Sequence, residues 1–178
     1  ATHSHSAVSV AAVFQSAVET DYAQFLVEKI AEGVVLANSQ LEPAKIGWAL
    51  GNAPQHVFNR RWFLRPDVKN EDPFGAETDS VRMNPQPNHR DLLRPAGPTD
   101  PQVPVLAVQS MDGHPIAVWA NYSLHYVGGV PSTELSADYF GEFSRQLAAR
   151  IIVEDQHPAA SERPPLVVAM TNGTSGDI

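Results

Sequence analysis

The sequence predicts a mixed α/β fold, a β-sheet or β-sandwich core flanked by helices. Three observations carry that prediction. Four largely apolar runs, 44–50, 103–109, 116–123 and 166–170, have strand length and are bounded by Gly, Pro, Asn or Asp. Two longer stretches, within 22–37 and 134–153, repeat their apolar residues at helical spacing instead. The chain has 178 residues, 43% hydrophobic and 18% charged, enough for one buried core. It opens on Ala1-Thr-His3 without Met and stops at Asp177-Ile178 just after a strand-like run, so the expectation is a partial domain spanning 1–178.

Taken in order, the chain begins with Ala1-Thr-His-Ser-His-Ser6, in which His3 and His5 stand two apart. In extended backbone both rings point the same way. A His-x-His pair is a common way to present metal ligands, or one ligand and one acid/base group; a tag remnant or frayed terminus is the plain alternative. Residues 8–18 are weakly amphipathic, helical or extended in part. Tyr22, Phe25, Leu26, Ile30, Val34 and Ala37 then fall at helical spacing, with Asp21 as N-cap. Their stripe reads as core, and Glu28, Lys29 and Glu32 as a solvated face.

Ala44 to Leu50 reads as a strand with Trp48 turned inward, ended by Gly51-Asn-Ala-Pro54. The aromatic segment 57–64 carries Arg60 and Arg61, which face opposite sides if it is extended, so one turns inward while the other stays in water. A guanidinium is the natural fork for a carboxylate, a phosphate or a developing oxyanion, although adjacent arginines on a surface need no such role. From 65 to 104, prolines from Pro66 to Pro104 are spread among Asp, Asn and Gly. That composition predicts a long irregular loop, either a lid or binding loop or a disordered connection.

Val103 to Gln109 and Ile116 to Ser123 form a hairpin signal with Asp112-Gly113 in the turn. Within the second run Asn121, Ser123 and His125 recur at every second residue. Gly128, Gly129 and Pro131 break it shortly afterwards, placing His125 at the strand's carboxyl end, where open α/β sheets bind ligands. An ordinary hydrogen-bonded histidine is the plain alternative there. A helix follows from Glu134 or Ser136 to Val153, with Phe140, Phe143, Leu147 and Ile151 on one side and Asp138 in its early turns. A turn region at 157–165 leads to the strand 166–170. That strand runs into Asn172-Gly-Thr-Ser-Gly-Asp177, a Gly-rich turn of the kind that gathers backbone N–H groups around a ligand.

Composition excludes several functions. A net charge of −8 with no basic tract argues against nucleic acid. With no cysteine there is neither a disulfide nor a thiolate site, so any metal is held by His, carboxylate, Tyr or water. No apolar run approaches the roughly 20 residues of a membrane span. What remains is His3, His5 and His125 near predicted strand ends, Arg60, and the polar turn 172–177. Separated histidines on strands plus a further ligand suit a hydrolytic zinc site.

The motifs Ala1-Thr-His-Ser-His-Ser6, Phe58-Asn-Arg-Arg61, Asp100-Pro101 to Leu106, Asn121-Tyr-Ser-Leu-His125, Ser136-Ala-Asp-Tyr139 and Asn172-Gly-Thr-Ser-Gly-Asp-Ile178 occur in a telling order. In that order the chain resembles the neutral/alkaline non-lysosomal ceramidases and their bacterial relatives, over the first part of their catalytic domain. The resemblance implies a zinc amidohydrolase that cleaves the N-acyl bond of ceramide or a related lipid amide by zinc-activated water. It implies His3 and His125 as zinc ligands, His5 as the catalytic neighbour and Arg60 as the polarising cation. Ser175 matches a serine of the family's polar turn, as a pocket residue. The family's remaining zinc ligands, a Glu and a Tyr, belong to later sequence. A secreted or extracytoplasmic setting and contact with a membrane surface follow from the family's habit. Two other readings stand beside this one: a serine hydrolase using Ser175 with His125 or His5 as base, though the Gly-x-Ser-x-Gly elbow is lacking, and a non-catalytic binding module or incomplete fragment.

Overall fold

The computed structural model describes residues 2–12, 16–131, 133–154 and 163–178, apart from the side chains of 153 and 154. Its elements run α1 (Thr20–Ser39), β1 (Ala44–Asn52), a short 3-10 turn (Pro54–His56), β2 (Arg61–Leu64), β3 (Val81–Met83), β4 (Leu92–Pro95), β5 (Gln102–Ser110), β6 (Pro115–Tyr122), α2 (Asp138–Glu154) and β7 (Val167–Asn172). The mixed α/β class expected from the sequence is what forms: two helices and two open sheets, with no closed barrel among the described residues.

The larger sheet has the order β1-β5-β6-β7. Its first three strands are antiparallel, and the β5–β6 hairpin turns at Asp112-Gly113, where Gly113 takes φ +100. Only glycine adopts that conformation without a Cβ penalty. β7 then adds to β6 in parallel, from Ala117↔Val167 to Tyr122↔Asn172. A parallel pair needs a crossover, and α2 supplies it, packing back onto β7. Both β6 and β7 therefore end at the same edge.

Register sorts the sheet's two faces. Ala120, Tyr122 and Met170 share the face that meets Phe140 of α2, and with Val57 they form the buried core, bordered by Val103, Val105, Leu124 and Phe143. Tyr122 buries its hydroxyl by donating to the Ala53 carbonyl at 2.5 Å. The opposite face carries the row Trp48, Leu106, Trp119 and Ala169. It is open: Trp48 is 82% exposed, which corrects the expectation that it turns inward. All nine residues of β1 are exposed, so among the described residues no layer covers either face of that strand.

Four further expectations are corrected. α1 forms where its periodicity places it but buries none of its residues, with Phe25, Ile30 and Val34 all more than half exposed. Among the described residues it packs closely along no strand, so its apolar stripe is not core. Asp21 lies in its first turn, while the cap position is Glu19, with no side-chain cap bond. The stretch 65–104 is not wholly irregular, because β3 and β4 flank β2 in a three-stranded sheet, with the Arg94 guanidinium 4.5 Å from the Phe63 ring centroid. Finally, α2 begins at Asp138 rather than 134 or 136, since Asp138 itself has φ 51.

Of the weakly amphipathic stretch, 8–12 and 17–18 take no helix or strand, and 13–15 lie outside the described residues, as does the 157–162 part of the expected turn. Among the described residues no helix is long and apolar enough to cross a membrane.

Candidate metal centre

His125 lies three residues beyond the end of β6, at the carboxyl edge that β6 shares with β7. The chain there leaves the strand but stays anchored: Ser123 is only 1% exposed, and its hydroxyl receives the Thr174 N–H at 3.2 Å. The His125 ring contacts the carbonyl of Ser175 through Nδ1 at 2.7 Å. A carbonyl only accepts, so Nδ1 carries a proton, and in the neutral ring Nε2 is left with the lone pair.

The amino-terminal segment brings His3 and His5 to the same place. Ser4 Oγ donates to the Ser136 carbonyl at 2.8 Å, and the Ser136 N–H donates back to the Ser6 carbonyl at 2.9 Å. That reciprocal pair ties the segment to the approach of α2. His5 stacks on Tyr126 with ring centroids 3.7 Å apart and planes 16° from parallel. The two Nε2 atoms of His3 and His5 sit 3.0 Å apart, in a segment that bends at His5 and forms no strand, which corrects the expectation of histidines carried on a strand there. One ligand nitrogen from each of His3, His5 and His125 lies within 4.8 Å of the other two.

The surroundings of His5 favour its neutral ring. Burial, then His3, His125 and Arg60, push the His5 pKa below its usual value, against an opposing pull from Asp138. A neutral imidazole is the form that ligates a metal. Arg60 is fixed through its backbone, its N–H on the Asp177 carbonyl at 2.7 Å and its carbonyl on the Asn84 N–H at 2.8 Å. Its Nε is buried without a hydrogen-bond partner among the described residues. Its neighbour Arg61 pairs with the Asp177 carboxylate.

Asp138, the residue with φ 51, organises the loop behind His125. Its carboxylate accepts the N–H groups of Val127 and Gly128 at 3.0 Å each and of Tyr139 at 2.6 Å. Burial pushes its pKa up, but these donors and the nearby His5 together outweigh that and hold it below the usual carboxylate range.

The structure thus brings His3, His5 and His125 together, with Arg60 close enough for its charge to act on His5. Ser175 reaches the same place through its carbonyl; its hydroxyl donates to Asn172 Oδ1, and the residue is 5% exposed. Sequence reasoning passed over Tyr126, and took Ser136 and Asn172 only as members of motifs, without a role of their own. The only sequence sign of them was their adjacency to the motif histidine, the α2 start and the Gly-rich turn.

No family model matches this sequence, and no curated protein does. Solved structures similar in fold include the neutral ceramidase from Pseudomonas aeruginosa, at a TM-score of 0.52 and 15% identity over 90% of this chain and 21% of that one, and a ceramidase complexed with C2, at 0.52 and 15% over 90% and 20%. This chain spans about a fifth of the length of those proteins and shares their fold over that part.

Proposed function

We propose that this chain carries the histidine part of a zinc-dependent amide hydrolase centre acting on an N-acyl lipid amide of the ceramide type. The observation that carries this reading is the convergence of the His3, His5 and His125 ring nitrogens within 4.8 Å. The donor set fits zinc: all-nitrogen, neutral at His5, and with His125 held by a carbonyl on its far nitrogen, as metal-binding histidines usually are. Zinc bound there would supply an acidified water and a Lewis acid for the amide carbonyl.

The chain's own residues divide the remaining work. Hydrolysis adds water across the C–N bond, so the carbonyl oxygen gains negative charge and the departing amine takes up a proton. His3 and His125 present nitrogen to the metal. His5, its ring fixed by stacking on Tyr126, moves the proton. Arg60, with a buried and unpartnered Nε, meets the negative charge. Exposed Val127 and Leu135, next to the residues that hold the site, offer apolar surface to an acyl chain. The similar fold of a ceramidase complexed with C2 supports the substrate class. A secreted or extracytoplasmic protein working at a membrane surface suits such a substrate. The geometry lends nothing to a serine mechanism, because the Ser175 hydroxyl is engaged by Asn172 while His125 meets the carbonyl.

The test is hydrolysis of a short-chain fluorescent ceramide by the zinc-loaded chain, with and without chelator, beside Arg60→Ala. Chelator-sensitive release of fatty acid, lost in the variant, is expected. Zinc uptake without any turnover assigns the chain to the alternative reading, a binding module.

A further inference from the structure

We propose that Asn172 is a positioning residue that sets the tautomer of His125. Three hydrogen bonds and the peptide link from Leu124 to His125 close a ring around it, and a fourth bond, from Tyr139, buttresses that ring. The Asn172 Nδ2 donates to the Leu124 carbonyl at 2.7 Å, holding the backbone immediately before His125. The Tyr139 hydroxyl donates to that same carbonyl at 2.7 Å. The Asn172 Oδ1 accepts the Ser175 hydroxyl. The Ser175 carbonyl then accepts the His125 Nδ1–H at 2.7 Å. Only the amide of asparagine satisfies both ends at once, since Leu124 presents an acceptor and Ser175 a donor. The side chain spans β7 and the extension of β6, so neither the turn nor the histidine can shift without breaking it.

The consequence is chemical. With Nδ1 protonated, the Nε2 lone pair is free, and that is the atom His125 can offer a metal. That Nε2 ligates zinc rests on the function proposed above; the tautomer lock does not.

The experiment uses the full 15N-labelled chain and long-range proton–nitrogen correlation of the imidazole rings, first without metal. His125 is expected as the Nδ1–H tautomer in the wild type. In Asn172→Asp, which keeps the shape but replaces the donor by an acceptor, the tautomers are expected to mix. Ser175→Ala, a milder change that cuts one link, is expected to mix them partly, while Ser175→Thr retains the wild-type pattern. Thr171→Val is the packing control, losing the hydroxyl that accepts from Asn121 and Trp119 and donates to the Ala120 carbonyl and leaving His125 unchanged. An Nε2–H tautomer in the wild type, or an unchanged one in both Asn172→Asp and Ser175→Ala, overturns the proposal. Zinc competition then follows: Asn172→Asp is expected to weaken zinc about 10-fold to 100-fold, the usual effect of losing an outer partner. Absence of zinc binding in a wild type whose tautomer still tracks Asn172 supports the lock and overturns the metal reading instead.

Discussion

Gly173→Ala is the sharpest structural perturbation available at this site. A Cβ built on Gly173 would stand 2.7 Å from Ser123 Oγ, 2.8 Å from Asn121 Oδ1 and 3.3 Å from Ser123 Cα. Ordinary contacts need roughly half an ångström or more beyond the first two distances. Ser123 has little room to yield, being 1% exposed and engaged by both the Thr174 N–H and the Thr174 hydroxyl. Asn121 is tied in turn to Thr171 Oγ1 at 2.8 Å. The strain therefore falls on the turn itself, which carries the Ser175 carbonyl. Overpacking of this kind costs about 1–3 kcal/mol. Urea denaturation measures it directly, and zinc affinity is expected to fall in parallel. Gly176→Ala is the matched control, because a Cβ there meets nothing within 4 Å; it stays within about 0.5 kcal/mol of the wild type. If Gly173→Ala behaves like Gly176→Ala, the close approach of the turn to the β6 extension is refuted.

Three other outcomes follow from particular groups. Tyr122→Phe removes the donor to the Ala53 carbonyl and is expected to cost about 1–3 kcal/mol, since that acceptor is left unpaired beside the core; an unchanged urea midpoint contradicts the bond. The Tyr139 phenol, pushed up to about 12 by burial first and by Asp138 and Tyr122 after it, despite the bond with Asn172, keeps its proton above the usual 10.0 in the folded state. Stability is then whole below pH 10.0 and falls as pH rises towards 12. A spectrophotometric titration in which every phenol ionises near 10.0 contradicts this. Asp138 is held below 3.8, so it stabilises the fold above that pH and ceases to as pH falls through its folded value. Asp138→Asn is expected to lose about 1 kcal/mol at neutral pH and to flatten the acid limb, which urea unfolding across pH 2.5–7 reads out; an unaltered limb assigns acid lability elsewhere.

What was legible in the sequence was local. The β5–β6 hairpin declares itself through Asp112-Gly113, and the parallel strand β7 through a continuous apolar run ending in glycines. The His-x-His rings do converge, with centroids 4.7 Å apart, but through a bend rather than the extended backbone from which the spacing argued. Facing was not legible. The run 44–50 has the length and apolar content of a strand, but nothing in it says whether a second layer covers it, and every residue of β1 proved exposed, Trp48 among them. Helical periodicity likewise built α1 without supplying a surface for it to cover. The strands β3 and β4 have three and four residues, too short for any pattern to register, and they exist because β2 offers them a ladder. The links that hold the histidines, Ser4 to Ser136 and Asn172 to Leu124, join residues 132 and 48 apart. No spacing rule reaches that far.

The central claim is that His3, His5 and His125 form one metal site. Its most direct test is the zinc content of the dialysed, tag-free chain by mass spectrometry, beside a His3→Ala/His125→Ala double variant. The account predicts near-stoichiometric zinc in the wild type and background zinc in the variant. Background zinc in both, or equal zinc in both, contradicts it.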